Sequence, residues 1–86
     1  MILAADVNEH SVNGKLSKAL QPLGVMESYF RKFSVCGPAS HIRGKEPIDG
    51  IWSSSGVVPT VVTVFSHSFG VGDHRAMIVD FRKEDL

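Results

Sequence analysis

Pro47-Ile48-Asp49-Gly50-Ile51-Trp52-Ser53-Ser54-Ser55-Gly56, followed by the run from Val57 to Phe65, decides the fold class of this chain. Ile48 to Ser53 has strand character, Ser54-Ser55-Gly56 turns the chain, and the β-branched residues that follow predict a second strand. Pro59 trims the start of that strand because proline cannot donate to a ladder. Downstream, Ser66 to Gly72 reads as a loop holding two glycines, and Arg75 to Phe81 as a last strand before the charged tail Arg82 to Asp85. Upstream, residues 34 to 47 carry two prolines and two glycines and predict an irregular loop, long enough to expect a function of it.

Further towards the N-terminus, Val25 to Phe33 stays open between helix and strand, since Met26, Tyr29, Phe30 and Phe33 fit the first and the Tyr-Phe pair with Val35 the second. Leu16, Ala19, Leu20 and Leu23 recur at helical spacing, with Asn13 available as N-cap. Pro22 should end or kink that helix at Gln21, with Gly24 as its C-terminal glycine. Ile2 to Val7 is a short apolar run giving way to Asn8-Glu9-His10-Ser11, a first strand entering a loop. No internal repeat or low-complexity tract is visible. The expectation is an α+β chain: one mostly antiparallel sheet with one or two helices packed on one face.

Composition narrows the function classes. Eighty-six residues make one domain at most, in a range where folding buries only about 60% of the unfolded chain's surface. Nine Lys plus Arg balance nine Asp plus Glu, so there is no uniform basic field to drive non-specific nucleic-acid binding. An apolar fraction of 43% with 21% charged residues is ordinary for a folded domain. Cys36 is the single cysteine, which excludes an internal disulfide framework and a thiolate zinc module. The opening Met1-Ile2-Leu3-Ala4-Ala5 has neither the length nor the preceding basic residue of a signal peptide, and no stretch approaches the roughly 20 apolar residues of a membrane span. A soluble, intracellular chain is expected. The apolar run beginning at residue 1 suggests a fragment or a truncated product.

The polar residues gather at strand ends. Asp6 and Asn8 lie two apart at the end of the first strand, so an extended backbone sends both side chains to one face. Asp49 opens the second strand and Asp73-His74 immediately precede the last. If the first strand runs antiparallel to the other two, all five groups meet at one rim. Carboxylates collected in this way suit a hard divalent cation such as Mg2+, and a histidine beside them is a proton carrier or phosphate partner. Taken singly, the same residues also read as turn caps and strand ends.

Together they match a family. Ala5-Asp6-Val7-Asn8, Pro47-Ile48-Asp49-Gly50-Ile51-Trp52 and Gly72-Asp73-His74-Arg75 resemble, in that order, the Gly-Asp-x-Asn, Ile-Asp-Tyr/Gly and Ser-Asp-His motifs of the endonuclease/exonuclease/phosphatase superfamily, the deoxyribonuclease-I-like fold. Pro38-Ala39-Ser40 matches a Pro-Ala-Ser/Thr loop before the second motif. The resemblance implies that residues 1–86 are the C-terminal half of a four-layer α/β sandwich. It implies a metal-dependent phosphoester hydrolase with Mg2+ or Mn2+ as cofactor and a nucleic acid or another phosphodiester as substrate. The Ile-Asp-Gly-Ile-Trp and Gly-Asp-His-Arg-Ala wording is similar to endonuclease domains of retroelement-type proteins, although inositol phosphate and sphingolipid phosphodiesterases share the three motifs.

By that resemblance Asp6 positions or activates the attacking water and helps hold the metal, and Asn8 hydrogen-bonds the scissile phosphate. Asp73 is a metal ligand, His74 binds the phosphoryl oxygens, and Asp49 orients His74. Ala5 and Gly72 replace the family's glycine and serine, small changes. The larger departure is the missing first half, with its glutamate ligand, for which none of Glu9, Glu27 or Glu46 fits the pattern. The chain alone is therefore expected to be inactive. The competing expectation is a non-catalytic fragment or interaction module, which self-associates or recruits its missing N-terminal half through an uncovered sheet face.

The other candidates are weaker. Ser40, His41 and Arg43, in the loop beside the rim, are candidate substrate contacts or simply solvated loop residues. His10, His41, His67 and His74 fit no zinc spacing. Trp52 could stack on a base, but its place beside Ile51 fits core packing. Arg31-Lys32 is too short a basic run to signal nucleic acid. Lys15 and Lys18 belong to a solvated helix face, and Cys36 has no partner histidine at a useful spacing for nucleophilic chemistry.

Overall fold

Trp52 is the anchor of the core, fully buried on the central strand of a three-stranded sheet. The computed structural model describes residues 1–41, 44, 46–66 and 74–86. In chain order the elements are β1 (Ile2–Asp6), α1 (Lys15–Leu20), a 3-10 turn over Gln21–Leu23, β2 (Val25–Glu27), α2 (Ser28–Phe33), β3 (Asp49–Ser54), β4 (Pro59–Val64), β5 (Met77–Phe81) and a closing 3-10 turn over Lys83–Asp85. The class is α+β, as the sequence leads one to expect.

The strands divide between two sheets where one was expected. β3 lies between β1 and β2 and is antiparallel to both, whereas β4 and β5 form a separate antiparallel pair. The reason is that both hydrogen-bonding edges of β3 are occupied, and Pro59 at the head of β4 brings no N–H donor. α2 joins the two sheets by packing against β2, β3 and β4. Its Arg31 guanidinium donates to the carbonyls of Ser54 and Val57, at 3.0 and 3.2 Å, which pins the helix to the turn between β3 and β4.

Val25 to Phe33, open in the sequence, is both things in succession. A strand ends at Glu27, and the Glu27 carboxylate then caps the helix by accepting from the N–H groups of Tyr29 and Phe30, at 3.0 and 2.8 Å. α1 is capped differently from the expectation. Gly14 occupies the N-cap position and offers no side chain, while the Glu9 carboxylate reaches Leu16 N–H at 2.8 Å. Asn13 instead gives its own N–H to His10 Nδ1, at 2.9 Å. A carboxylate satisfies the orphan donors of a helix start better than an amide does, and these bonds hold Glu9 below the ordinary carboxylate range. α1 stops at Leu20 before Pro22, and Gly24 follows in the left-handed region with φ 72°.

Trp52 sits with Val25, Val57 and Val62 in the core, and its indole N–H donates to Ser17 Oγ on α1 at 2.9 Å. Burying an aromatic ring of this size removes 150–250 Å² from water, about 4–6 kcal/mol of transfer free energy. Gly50 lies on the same face of β3, under the Trp52 ring, and a Cβ there would come within 2.7 Å of the ring carbons. Ser53, on the opposite face, is also fully buried, so β3 is covered on both sides. Exposed apolar side chains lie on the strands that flank it and on the second sheet, among them Ile2, Met26, Val61 and Ile78. Among the described residues, no helix is long and apolar enough to cross a membrane.

Two outcomes follow from this packing. Gly50→Ala should cost about 1–3 kcal/mol of stability, because the Trp52 ring cannot move aside in a filled core. Urea unfolding followed by Trp52 fluorescence measures this, and a midpoint equal to the parent's would show that the ring has room. The second concerns Glu27, whose burial pushes its carboxyl above the ordinary 4.5, against the lowering effect of its two backbone hydrogen bonds. The folded chain then binds a proton there more tightly than the unfolded chain. Stability from this group is lost as pH rises through the window that opens at 4.5, and regained as pH falls. Relative to Glu27→Gln, the parent should gain stability between neutral and mildly acidic pH. A pH-independent difference between the two proteins would contradict the assignment.

Candidate active site

The site begins with the register of β1 on β3, which sets Asp6 directly opposite Asp49. Two carboxylates paired across antiparallel strands repel each other, at a cost of roughly 0.2–1 kcal/mol, unless something between them carries the opposite charge. His74 stands there. Its Nδ1 lies 2.5 Å from Asp49 Oδ2, and its Nε2 lies 3.8 Å from Asp6 Oδ2. The ligand atoms of Asp6, Asp49 and His74 all fall within 4.8 Å of one another.

The first of these contacts is a short hydrogen bond between half-buried groups. It fixes the ring plane and assigns the Nδ1 proton towards Asp49. The second is too long for a hydrogen bond, and its carboxylate is half exposed. A gap of this width between an imidazole and a carboxylate accepts a single oxygen that bonds to both.

Asn8 joins the site by a route that strand alternation does not provide. β1 ends at Asp6, and Asn8 takes a left-handed backbone with φ 50°, which asparagine tolerates better than most residues. Asp6 Oδ1 accepts from Asn8 N–H at 3.0 Å, an Asx turn that folds the chain back. Val7 N–H and Ser11 N–H donate to the carbonyls of Ile48 and Pro47, both at 2.9 Å, so the turn is fastened to the segment that leads into β3. Asp6, Asn8 and His74 consequently line one open cleft of about 580 Å³, together with His41, Gly44, Glu46 and Ile48. The sharing of a face expected from an extended strand is replaced by a turn with the same outcome.

The loop residues separate. His41 lines the cleft, forms an isolated antiparallel bridge with His74, and meets its ring edge to face with centroids 5.0 Å apart. Ser40 is not among the described residues that line this cleft. It is 4% exposed, and its hydroxyl accepts from Ile48 and Asp49 N–H at 2.8 and 3.2 Å. Two strand-entry amides hold that oxygen at the head of β3. Arg43 and Asp73 lie outside the described residues. Glu46 reaches the cleft although no motif singles it out; only its place in the loop before Pro47 hinted at it.

Comparison with protein-family models, with curated proteins and with solved structures finds no match for this chain.

The carboxylate pair generates its own test. Asp6→Asn keeps the acceptor for Asn8 N–H and removes one of the two facing charges. In a His74→Ala background, where no imidazole stands between them, adding Asp6→Asn should raise stability by about 0.2–1 kcal/mol. Urea midpoints decide this, and a loss of stability would mean that the two carboxylates do not oppose each other.

Proposed function

We propose that the Asp6, Asn8, Asp49 and His74 cluster is the hydrolytic centre of a metal-dependent phosphoesterase, with a nucleic-acid phosphodiester as first choice of substrate. The observation that carries the reading is an imidazole held by one carboxylate while its second nitrogen lies 3.8 Å from another. The likeness of the three motifs to the endonuclease/exonuclease/phosphatase superfamily points the same way and supplies the preference for nucleic acid over a lipid or sugar phosphate.

The donor set suits a hard cation, since Asp6 offers a half-exposed carboxylate at the mouth of the cleft. Asp6 would hold Mg2+ or Mn2+, with Asp73 as the further ligand that the motif supplies. A metal bound there supplies Lewis-acid stabilisation of the phosphoryl oxygens.

The rest falls to the chain's own groups. Asp6 orients the attacking water and accepts its proton as the oxygen closes on phosphorus. Asn8 donates its side-chain amide to a phosphoryl oxygen. In its doubly protonated form His74 presents Nε2–H to the charge that develops on the non-bridging oxygens, while Asp49 accepts from Nδ1–H and so favours that form and fixes the ring's orientation. A new O–P bond forms in line with the P–O bond that breaks, and the departing alkoxide takes a proton from solvent.

Whatever Mg2+-dependent cleavage of an oligonucleotide the parent supports, His74→Ala should lower it about 100- to 1,000-fold, the usual cost of removing one charge-stabilising donor. Cleavage unaffected by His74→Ala would remove the residue from the mechanism. Mn2+ titration of labelled protein adds a readout that needs no turnover. Resonances of Asp6, Asn8 and His74 should broaden first, and Asp6→Asn should weaken the effect about tenfold or more. Broadening that ignores this substitution would overturn the metal assignment.

A further inference from the structure

The three-stranded sheet carries Asp6 and Asp49, while His74 arrives on the segment that leads into β5, in the other sheet. Something must hold the two together at the site. Pro38-Ala39-Ser40 runs between them. Ser40 Oγ accepts from the N–H groups of Ile48 and Asp49, at 2.8 and 3.2 Å, at the entry of β3. Ser40 carbonyl oxygen accepts from Arg75 N–H at 2.7 Å, one residue beyond His74. The neighbouring Ala39 carbonyl accepts from Arg75 Nε at 3.0 Å, and His41 bridges to His74 itself. One residue thus bonds the backbone of Asp49 through its side chain and the backbone next to His74 through its main chain.

We infer that Ser40 is a positioning residue that sets the Asp49–His74 distance, a role that rests on the hydrolytic reading of the site. At 4% exposure, water cannot readily replace its hydroxyl. An alanine there leaves two strand-entry N–H groups without an acceptor, and the entry of β3 then has to move to find one. Asp49 moves with it. A hydrogen bond of 2.5 Å between Asp49 and His74 tolerates little such movement.

The test compares the parent with Ser40→Ala, Ser40→Thr and Asp49→Asn, using the imidazole resonances of histidine-labelled protein alongside hydrolysis kinetics. In the parent, the His74 Nδ1 proton should appear far downfield. Ser40→Ala should lose that signal as Asp49→Asn does, while the Trp52 indole resonance stays in place and shows the fold intact. Ser40→Thr, which keeps the hydroxyl, should retain it. In Mg2+-dependent hydrolysis, kcat of Ser40→Ala should fall about 10- to 100-fold with KM little changed. A folded Ser40→Ala protein that keeps the parent's His74 signal overturns the inference.

If Ser40→Ala does not fold, amide exchange in the unaltered protein and in Ser40→Thr decides. Ile48 and Asp49 amides protected to the level of β3 support the assignment, and exchange at the rate of an open loop overturns it. A parent that hydrolyses nothing, yet whose His74 signal depends on Ser40, defeats the hydrolytic reading and leaves the positioning role standing.

Discussion

Two carboxylates face each other across the β1–β3 ladder, and the rest of the site is arranged around that constraint. Register alone produces it. Because Asp6 ends β1 and Asp49 begins β3, the antiparallel pairing that sets the half-buried Leu3 and Ala5 on the Trp52 face also brings both acids to one corner of the sheet. A slip by one residue would send the two side chains to opposite faces of the sheet. Core packing and site geometry are therefore fixed by the same hydrogen bonds, which is why the buried tryptophan matters to chemistry it does not touch.

Much of this corner was legible in the sequence. Strand ends marked by Asp6, Asn8, Asp49, Asp73 and His74 predicted a meeting place on the condition that the first strand run antiparallel to both later ones; β1 is antiparallel to β3, while the last strand lies in the other sheet. The α+β class followed from apolar alternation and from the β-branched run around Val62. What escaped was the use made of individual acceptors. Glu9, Glu27 and Ser40 each satisfy backbone N–H groups, two of them at helix starts and one at the head of a strand. Which oxygen meets which amide depends on tertiary placement, and pattern alone does not carry that information.

Asn8 shows the same limit from the other side. Alternation along an extended strand predicts that it follows Asp6 into the cleft, and it does line the cleft. The backbone reaches that position through a left-handed residue and an Asx turn. Asparagine carries out both tasks because its short amide tolerates the conformation while leaving a donor for a ligand. The division of strands between two sheets was likewise hidden, because nothing in β3 announces that both of its edges will be taken.

The placement of α2 has a mechanical consequence. It packs on strands of both sheets, and Arg31 ties it to the turn where the chain passes from one to the other. The imidazole and its carboxylates thus ride on separate bodies, as two halves of a caliper whose pivot is a short helix on the far side. Any displacement at that pivot is read out as a change of aperture at the jaws. Side chains along α2, themselves devoid of chemistry although Tyr29 shares a cavity with Ser40 and Asp49, therefore belong to the tolerance of the instrument.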